Sequence, residues 1–143
     1  MAAPPDPRAA ITLERARRWA RRPQRRVEKP WGSETIFAET EKFAGKILAI
    51  RAGQRLSLQR HAQKHEVLHV LHGTLRLSVG EAPDALQDLV LGPGDGVDLP
   101  PGTVHRLEAI VDSEVVEVSS PELDDLERLA DDYGRMLGPG ATP

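Results

Sequence analysis

The 143-residue sequence contains no cysteine. A disulfide framework and thiolate ligands are therefore excluded, and any transition-metal site has to be built from histidine, carboxylate or amide oxygen. Aromatic residues make up only 3% of the chain, which leaves the core to Val, Leu, Ile and Ala. No apolar run is long enough to cross a bilayer, and the N-terminus lacks the charged-then-apolar order of a secretory signal. A soluble, cytoplasmic protein with one compact domain is expected. The sequence has no internal repeat of fixed period, and biased composition is confined to the Pro/Ala/Gly termini.

Charge is distributed unevenly. Residues 1–26 hold eight arginines against Asp6 and Glu14, although the whole chain carries a net charge of −3, so the remainder is acidic. Within this arm, "ITLERARRWARRPQRR" can form a short basic helix that starts at Thr12, stops near Pro23 and offers Ile11, Leu13, Ala16 and Trp19 as a narrow apolar stripe. Such an arm can bind nucleic acid or an anionic surface, or it can pack on the acidic body or on a second subunit. No nucleic-acid-binding motif accompanies it, so nucleic acid is not an expected partner and no function is placed there.

From Val27 the texture changes. "KPWGSETIFA", "KILAIRAG", "RLSLQRH", "EVLHVLHG", "TLRLSVG", "LQDLVLGPGD", "GVDLPPG", "VHRLEAI" and "SEVVEVS" are short alternating or β-branched segments separated by Gly, Pro and Asp turns. Many short strands at close spacing predict an all-β sandwich or barrel. Only "PELDDLERLADDYGR" has helical spacing, with Leu123, Leu126 and Leu129 on one side. The expected organisation is a basic extension over 1–26, a β-barrel over 27–120, and a C-terminal helix and tail over 121–143.

Four of the five histidines fall between Leu56 and Gly73. On a strand, residues two apart share a face, so Gln59 and His61 project together while Leu56 and Leu58 face the other way. After the "AQK" turn, Glu66 opens the next strand and brings a carboxylate back beside them. Far along the chain, "GDGVDLPPGTVH" reads as turn, short strand and tight turn, followed by a strand opening at His105, which can close the site. By strand phase His69 faces away from Glu66 and is expected between sheets or at a subunit contact. His72, just before the turn glycine, is expected at the surface.

These residues resemble the two motifs of the cupins. Gly53, Gln59, His61, Glu66 and Gly73 fall on the first, with Gln59 where most cupins have histidine. Gly94, Pro100, Gly102 and His105 fall on the second, with Ala109 in place of the asparagine that often closes it. "KPWG", "LSLQRH", "HRLE" and "DDLERLADDYGR" more closely resemble the cupin half of type II phosphomannose isomerases over nearly all of 27–135. In bifunctional relatives that half follows a nucleotidyltransferase domain, which has no counterpart here, so nucleotidyl transfer is not expected. The sequence departs from the type II "QxHHHR" text, with Gln63 and Lys64 standing in place of His and Arg. The resemblance implies a cupin jelly roll with short helical additions and a divalent ion held by Gln59, His61, Glu66 and His105. Zinc comes first for such mixed nitrogen and oxygen donors, with Mn, Fe, Co or Ni also suited. The alternative for these four residues is a cupin that has lost its metal and kept polar groups in its barrel.

The implied activity is isomerisation of a phosphorylated sugar such as mannose 6-phosphate, which needs a proton shuttle and fixed cations for the phosphate. Lys46, an isolated charge in "GKILAI", either reaches a polar cavity or points outward. His65, next to Glu66, is a shuttle candidate or an exposed loop residue. Lys64, Arg106 and Arg135 are candidate substrate-binding cations. Lys64 is otherwise a solvated loop residue. Arg106 should face away from its neighbour His105 and pair with Glu108, and Arg135 would reach the barrel mouth only if the C-terminal helix folds back. Two other readings stand beside the isomerase: a non-catalytic sugar or small-ligand binding module, and an iron-dependent oxygenase, because a fold alone does not decide chemistry. A homodimer is expected, since cupins commonly pair.

Overall fold

The computed structural model describes residues 1–4, Glu14 and 24–136. Apart from Glu14, the basic helix expected from Thr12 to Pro23 lies outside these residues. The described chain forms eleven strands: β1 (Arg25–Lys29), β2 (Gly32–Glu39), β3 (Ala44–Ile50), β4 (Leu58–His61), β5 (Glu66–His72), β6 (Leu75–Gly80), β7 (Leu86–Leu91), β8 (Gly96–Leu99), β9 (Val104–Ala109), β10 (Ser113–Ser119) and β11 (Leu126–Ala130). They build a six-stranded sheet in the order β1-β2-β3-β10-β5-β8 and a five-stranded sheet in the order β11-β4-β9-β6-β7, antiparallel throughout. This is the all-β jelly-roll barrel expected from the sequence. No helix among the described residues is long and apolar enough to cross a membrane.

Strand alternation divides the barrel interior into two ends. On β5, Glu66, Leu68 and Val70 point inward while Val67, His69 and Leu71 are exposed. On β10, Ser113, Val115, Glu117 and Ser119 take the inward phase. Register stacks these into rungs, with Val115 opposite both Leu48 and Val70, and Glu117 opposite both Lys46 and Leu68. Leu48, Ile50, Val70, Leu75, Leu77, Leu107 and Val115, with Trp31, pack the apolar end. Each leucine buried there contributes about 1.5–3 kcal/mol. Further along the same inward phase come Lys46 and Glu117 on one rung and Glu66 beyond it, with Gln59 and His105 paired on the other sheet, so the apolar end is the floor on which a polar site rests.

Two glycines fix how the ends of strands meet. Gly73 turns β5 into β6 at φ 89°, and a Cβ there would lie 2.1 Å from Ser113 Oγ and 2.6 Å from the Asp112 carbonyl oxygen. Only glycine fits that position. Gly102, at φ 84°, turns the chain from β8 towards β9 and donates its N–H to the His61 carbonyl at 2.7 Å. This contact ties the second histidine segment to the first and sets His105 directly across from Gln59.

The C-terminal segment differs from the helix expected over 121–143. Residues 126–130 form β11, which pairs with β4 in the register Leu126↔His61, Glu127↔Arg60 and Arg128↔Gln59. Without this strand β4 would be a sheet edge with unpaired backbone groups. Pairing there outweighs the weaker helical pattern of the leucines, and Arg60 reinforces it by reaching Glu127 at 2.7 Å across the surface. The N-terminal boundary also moves, because β1 begins at Arg25, inside the stretch expected to be extension.

Candidate functional site

Gln59, His61, Glu66 and His105 converge inside the barrel. One ligand atom from each of His61, Glu66 and His105 can be chosen so that all three lie within 4.8 Å of one another, and the three residues are buried. His105 Nε2 is 2.8 Å from Glu66 Oε1, and His61 Nε2 is 3.8 Å from Glu66 Oε2. Gln59 turns its amide nitrogen to His105 Nε2 at 3.4 Å while its oxygen accepts from Ser57 Oγ at 2.8 Å. To offer oxygen to a shared ion the amide has to turn over, which Ser57 permits because its hydroxyl accepts as well as donates.

The imidazoles are locked from behind. Nδ1 of His105 donates to the Thr103 carbonyl at 3.0 Å, and a carbonyl can only accept, so that nitrogen carries a proton. Nδ1 of His61 donates to Asp125 Oδ1 at 3.0 Å. Asp125 also accepts the backbone N–H groups of Gln63 and Lys64 at 2.7 and 2.9 Å. Burial would raise the Asp125 carboxyl, but these donors outweigh it and hold it below the ordinary range. For His61, burial is the largest influence and favours the neutral ring, lowering its pKa even though the charge of Glu66 acts to raise it. Its Nε2 is buried, without a hydrogen-bond partner, and turned into the cluster. An unpartnered imidazole lone pair beside a carboxylate and a second imidazole fits a divalent transition ion, and a carboxylate behind a ligating histidine is the usual way such a ring is oriented.

Lys64 is not a solvated loop residue. Its side chain is 5% exposed, its Nζ lies 2.9 Å from Glu66 Oε2, and it donates to Glu117 Oε2 at 2.9 Å. Burial pulls the ammonium down, yet the charges of Glu117 and Glu66 prevail and keep it firmly protonated. Burial would likewise raise Glu66, but the His105 hydrogen bond and the Lys64 charge drive its carboxyl far below the ordinary range. Glu117 is pushed up to about 7, first by burial and then by the charge of Glu66, against the pull of Lys64.

The cluster opens into a cavity of about 570 Å³ whose lining includes Gln59, His61, Lys64, Lys46, Glu117 and Arg128. Lys46 does reach it, 3.6 Å from Glu34 Oε2. Arg135 also lines it, brought there by the turn after β11 instead of a folded-back helix, with its guanidinium held by Asp131 at 2.8 Å. Arg128, cross-strand from Gln59, is the cation missed in the sequence. Its Nε is buried without a partner, and burial followed by the neighbouring Arg135 lowers its pKa.

Two candidates do not line this cavity, although Arg106 borders the inner recess beside Glu66 and His105. His65 is half exposed and its Nε2 is bound to Asp98 on the surface, because the chain reverses there and points it away from the Glu66 side. Arg106 faces away from His105, as expected, but its guanidinium donates to the Leu56 carbonyl at 2.8 Å and the Ala130 carbonyl at 3.4 Å instead of pairing with Glu108. It ties strand ends together, and Glu108 pairs with Arg76. His69 and His72 are exposed.

Comparison with known proteins gives the lineage of this site. AlgA of Pseudomonas aeruginosa, an alginate biosynthesis protein, is 32% identical over 118 residues, which is 79% of this chain and 24% of AlgA. ManC of Salmonella typhimurium, a mannose-1-phosphate guanylyltransferase, is 31% identical over 118 residues, 78% of this chain and 23% of ManC. The chain thus spans about a quarter of these relatives' length. Among solved structures, KdgF from Halomonas superposes with a TM-score of 0.60 at 24% identity, covering 73% of this chain and 90% of KdgF. Oxalate decarboxylase of Lactobacillus farciminis gives a TM-score of 0.63 at 16% identity, with 74% and 33% covered, and these two likenesses concern the fold alone. Residues 16–131 match the family described as mannose-6-phosphate isomerase C-terminal, and the chain belongs to that family.

Proposed function

We propose that this chain is a metal-dependent aldose–ketose isomerase acting on a phosphorylated hexose, interconverting mannose 6-phosphate and fructose 6-phosphate. The observation that carries the reading is that Gln59 and His61, the outermost members of the donor group completed by Glu66 and His105, line the same cavity as Arg128, whose guanidinium lies one strand away with a buried, unpartnered Nε. A sugar phosphate needs both, a Lewis-acidic centre at its carbonyl end and a fixed cation for its phosphate.

His61 and His105 would hold a divalent ion through Nε2, Glu66 through an oxygen, and Gln59 through its amide oxygen once turned. A divalent ion held there supplies positive charge against the negative charge that develops on the sugar's C1 and C2 oxygens. Glu117 is the charged side chain that lines both the main cavity and the inner recess containing Gln59, Glu66 and His105. It takes the proton from C2 and returns it to C1, a second proton passes between the two oxygens, and nothing is oxidised or reduced overall. Arg128, with Lys46 on the opposite sheet, receives the phosphate.

The test is conversion of mannose 6-phosphate to fructose 6-phosphate by protein loaded in turn with Zn, Mn, Fe, Co and Ni. Turnover that disappears on chelation and returns with metal is the expected result. Inactivity of every metal-loaded form overturns isomerisation, and tight sugar-phosphate binding without turnover would favour a binding module. A second reading has one observation in its favour: two histidines and one carboxylate are also the donor set of non-haem iron oxygenases. Oxygen uptake dependent on Fe(II) would support it. A cytoplasmic location and a homodimer belong to the main reading. For the dimer, the support is the cross-strand pair Val67 and Val118, 47% and 51% exposed on the outer face of the larger sheet, and a monomer in light scattering removes it.

A further inference from the structure

Three charged side chains are buried together beside the cavity, Lys64 and Glu117 in its lining and Glu66 in the inner recess. Lys64 lies between Glu66 and Glu117, with Nζ 2.9 Å from an oxygen of each, and the three side chains are 5%, 2% and 9% exposed respectively. Burying three charges is costly unless each is compensated, and removing the middle one leaves two carboxylates facing one another in a region of low polarisability. The lysine divides the two oxygens of Glu66 by charge: Oε2 faces the ammonium at 2.9 Å as an ion pair without hydrogen-bond geometry, while Oε1 faces His105 Nε2 at 2.8 Å. The second carboxylate is engaged as well, because Glu117 Oε2 accepts a hydrogen bond from the lysine ammonium at 2.9 Å.

We propose that Lys64, anchored on Glu117, is a positioning residue that leaves Glu66 one oxygen for the ion, keeps Glu117 out of the ligand set, and so sets which divalent ion the centre prefers. The inference rests on the metal-dependent reading above and adds to it a determinant of metal choice. With the lysine present the available donors are two imidazoles, one carboxylate oxygen and one amide, a small mixed set of the kind that suits zinc. Without it Glu66 can offer both oxygens and Glu117 becomes a further oxygen donor. Oxygen-rich sets of higher coordination number suit manganese. Removing a positive charge strengthens binding of every divalent cation, so affinity alone does not test the idea. The ratio of two affinities does, because a lysine that only balanced charge would move both together.

The experiment titrates wild type, Lys64→Met, Lys64→Arg and the double variant Lys64→Met/Glu117→Gln with Zn²⁺ and with Mn²⁺ in competition with a chelator. Wild type is expected to prefer zinc. Lys64→Met is expected to lower the zinc-to-manganese affinity ratio by at least tenfold. Lys64→Arg, which keeps the cation, should hold the ratio near wild type, and the double variant, deprived of the recruited carboxylate, should recover part of it. A Lys64→Met ratio within threefold of wild type overturns the lysine's role while leaving the metal reading intact. Failure of wild type to bind either ion overturns the metal reading itself. Should Lys64→Met prove unfolded, wild-type protein decides through the ¹⁵N–¹H signal of the Lys64 ammonium. Persistence of that signal in the zinc-loaded protein supports the assignment, and its loss on zinc addition overturns it.

Discussion

His61 and Asp125 are joined by a 3.0 Å hydrogen bond that runs from the imidazole Nδ1 to a carboxylate sixty-four residues further along the chain. The contact fixes the ring's tautomer and turns its unpartnered Nε2 into the cluster. Asp125→Asn keeps an acceptor for the backbone amides of Gln63 and Lys64 but weakens the charge behind the ring. Metal affinity should fall by about 10–100-fold, as for other outer partners of ligating histidines, with the circular dichroism spectrum unchanged. Unaltered affinity in a chelator competition would show that Asp125 only braces the loop.

His61→Ala and His105→Ala separate a bound ion's chemistry from its structural role. The apolar end of the barrel contains neither histidine, and its leucines and valines pack against one another on the floor below the cluster. Each variant should therefore lose metal retention, measured by elemental analysis after gel filtration, and keep a cooperative thermal transition. Global unfolding of either one would mean that the ion, or the histidine network, holds the barrel together.

How far the sequence discloses this arrangement depends on strand phase. Gln59, His61, Glu66 and His105 are legible because each sits on a short alternating segment, and turn glycines such as Gly73 and Gly102 locate the ends of those segments. Glu117 lies two residues beyond Val115, in the same inward phase, so a charge in the apolar phase of "SEVVEVS" was an available signal for a buried carboxylate. Lys64 gives no such signal. A lysine in a three-residue turn looks solvated until the partner strand β10 is placed beside it, and that neighbour comes from more than fifty residues away. Arg128 was hidden by the leucine spacing of its own segment. Read as helix, "DDLERLADDYGR" puts no residue opposite Gln59, whereas read as an edge strand it sets Arg128 there.

That register carries its own prediction. Arg128→Gln removes the guanidinium from the cavity while keeping a long polar side chain on β11. If Arg128 receives the phosphate, the KM for the sugar phosphate should rise by about 10–100-fold, the loss of one to two charged hydrogen bonds. Binding of the same sugar without its phosphate should not change. Equal loss for both sugars would assign Arg128 to the sugar ring or to packing of β11, and no loss for either would remove it from the site.

Asp131 and Arg135 tie the end of β11 to the turn that follows, and their effect should depend on pH in a defined direction. The Asp131 carboxylate is fully covered and accepts from Arg135 at 2.8 Å. The Arg135 hydrogen bond is the largest influence on it and outweighs burial, so its folded pKa lies below the ordinary value. The unfolded chain, with an aspartate near pKa 3.9, takes up the proton first as pH falls. The pair's contribution is therefore fully present above about pH 5 and is lost as pH drops through the depressed folded value. Asp131→Asn should cost about 1.5–3 kcal/mol at pH 7, the range for a hydrogen bond to a charged group. Urea midpoints of wild type and variant should draw together as pH falls from about 5 through the depressed folded value, where the wild-type side chain also becomes neutral. A gap that stays constant from pH 7 to pH 3 would mean that asparagine disturbs the turn through its shape, and that the charge of Asp131 adds nothing to the fold.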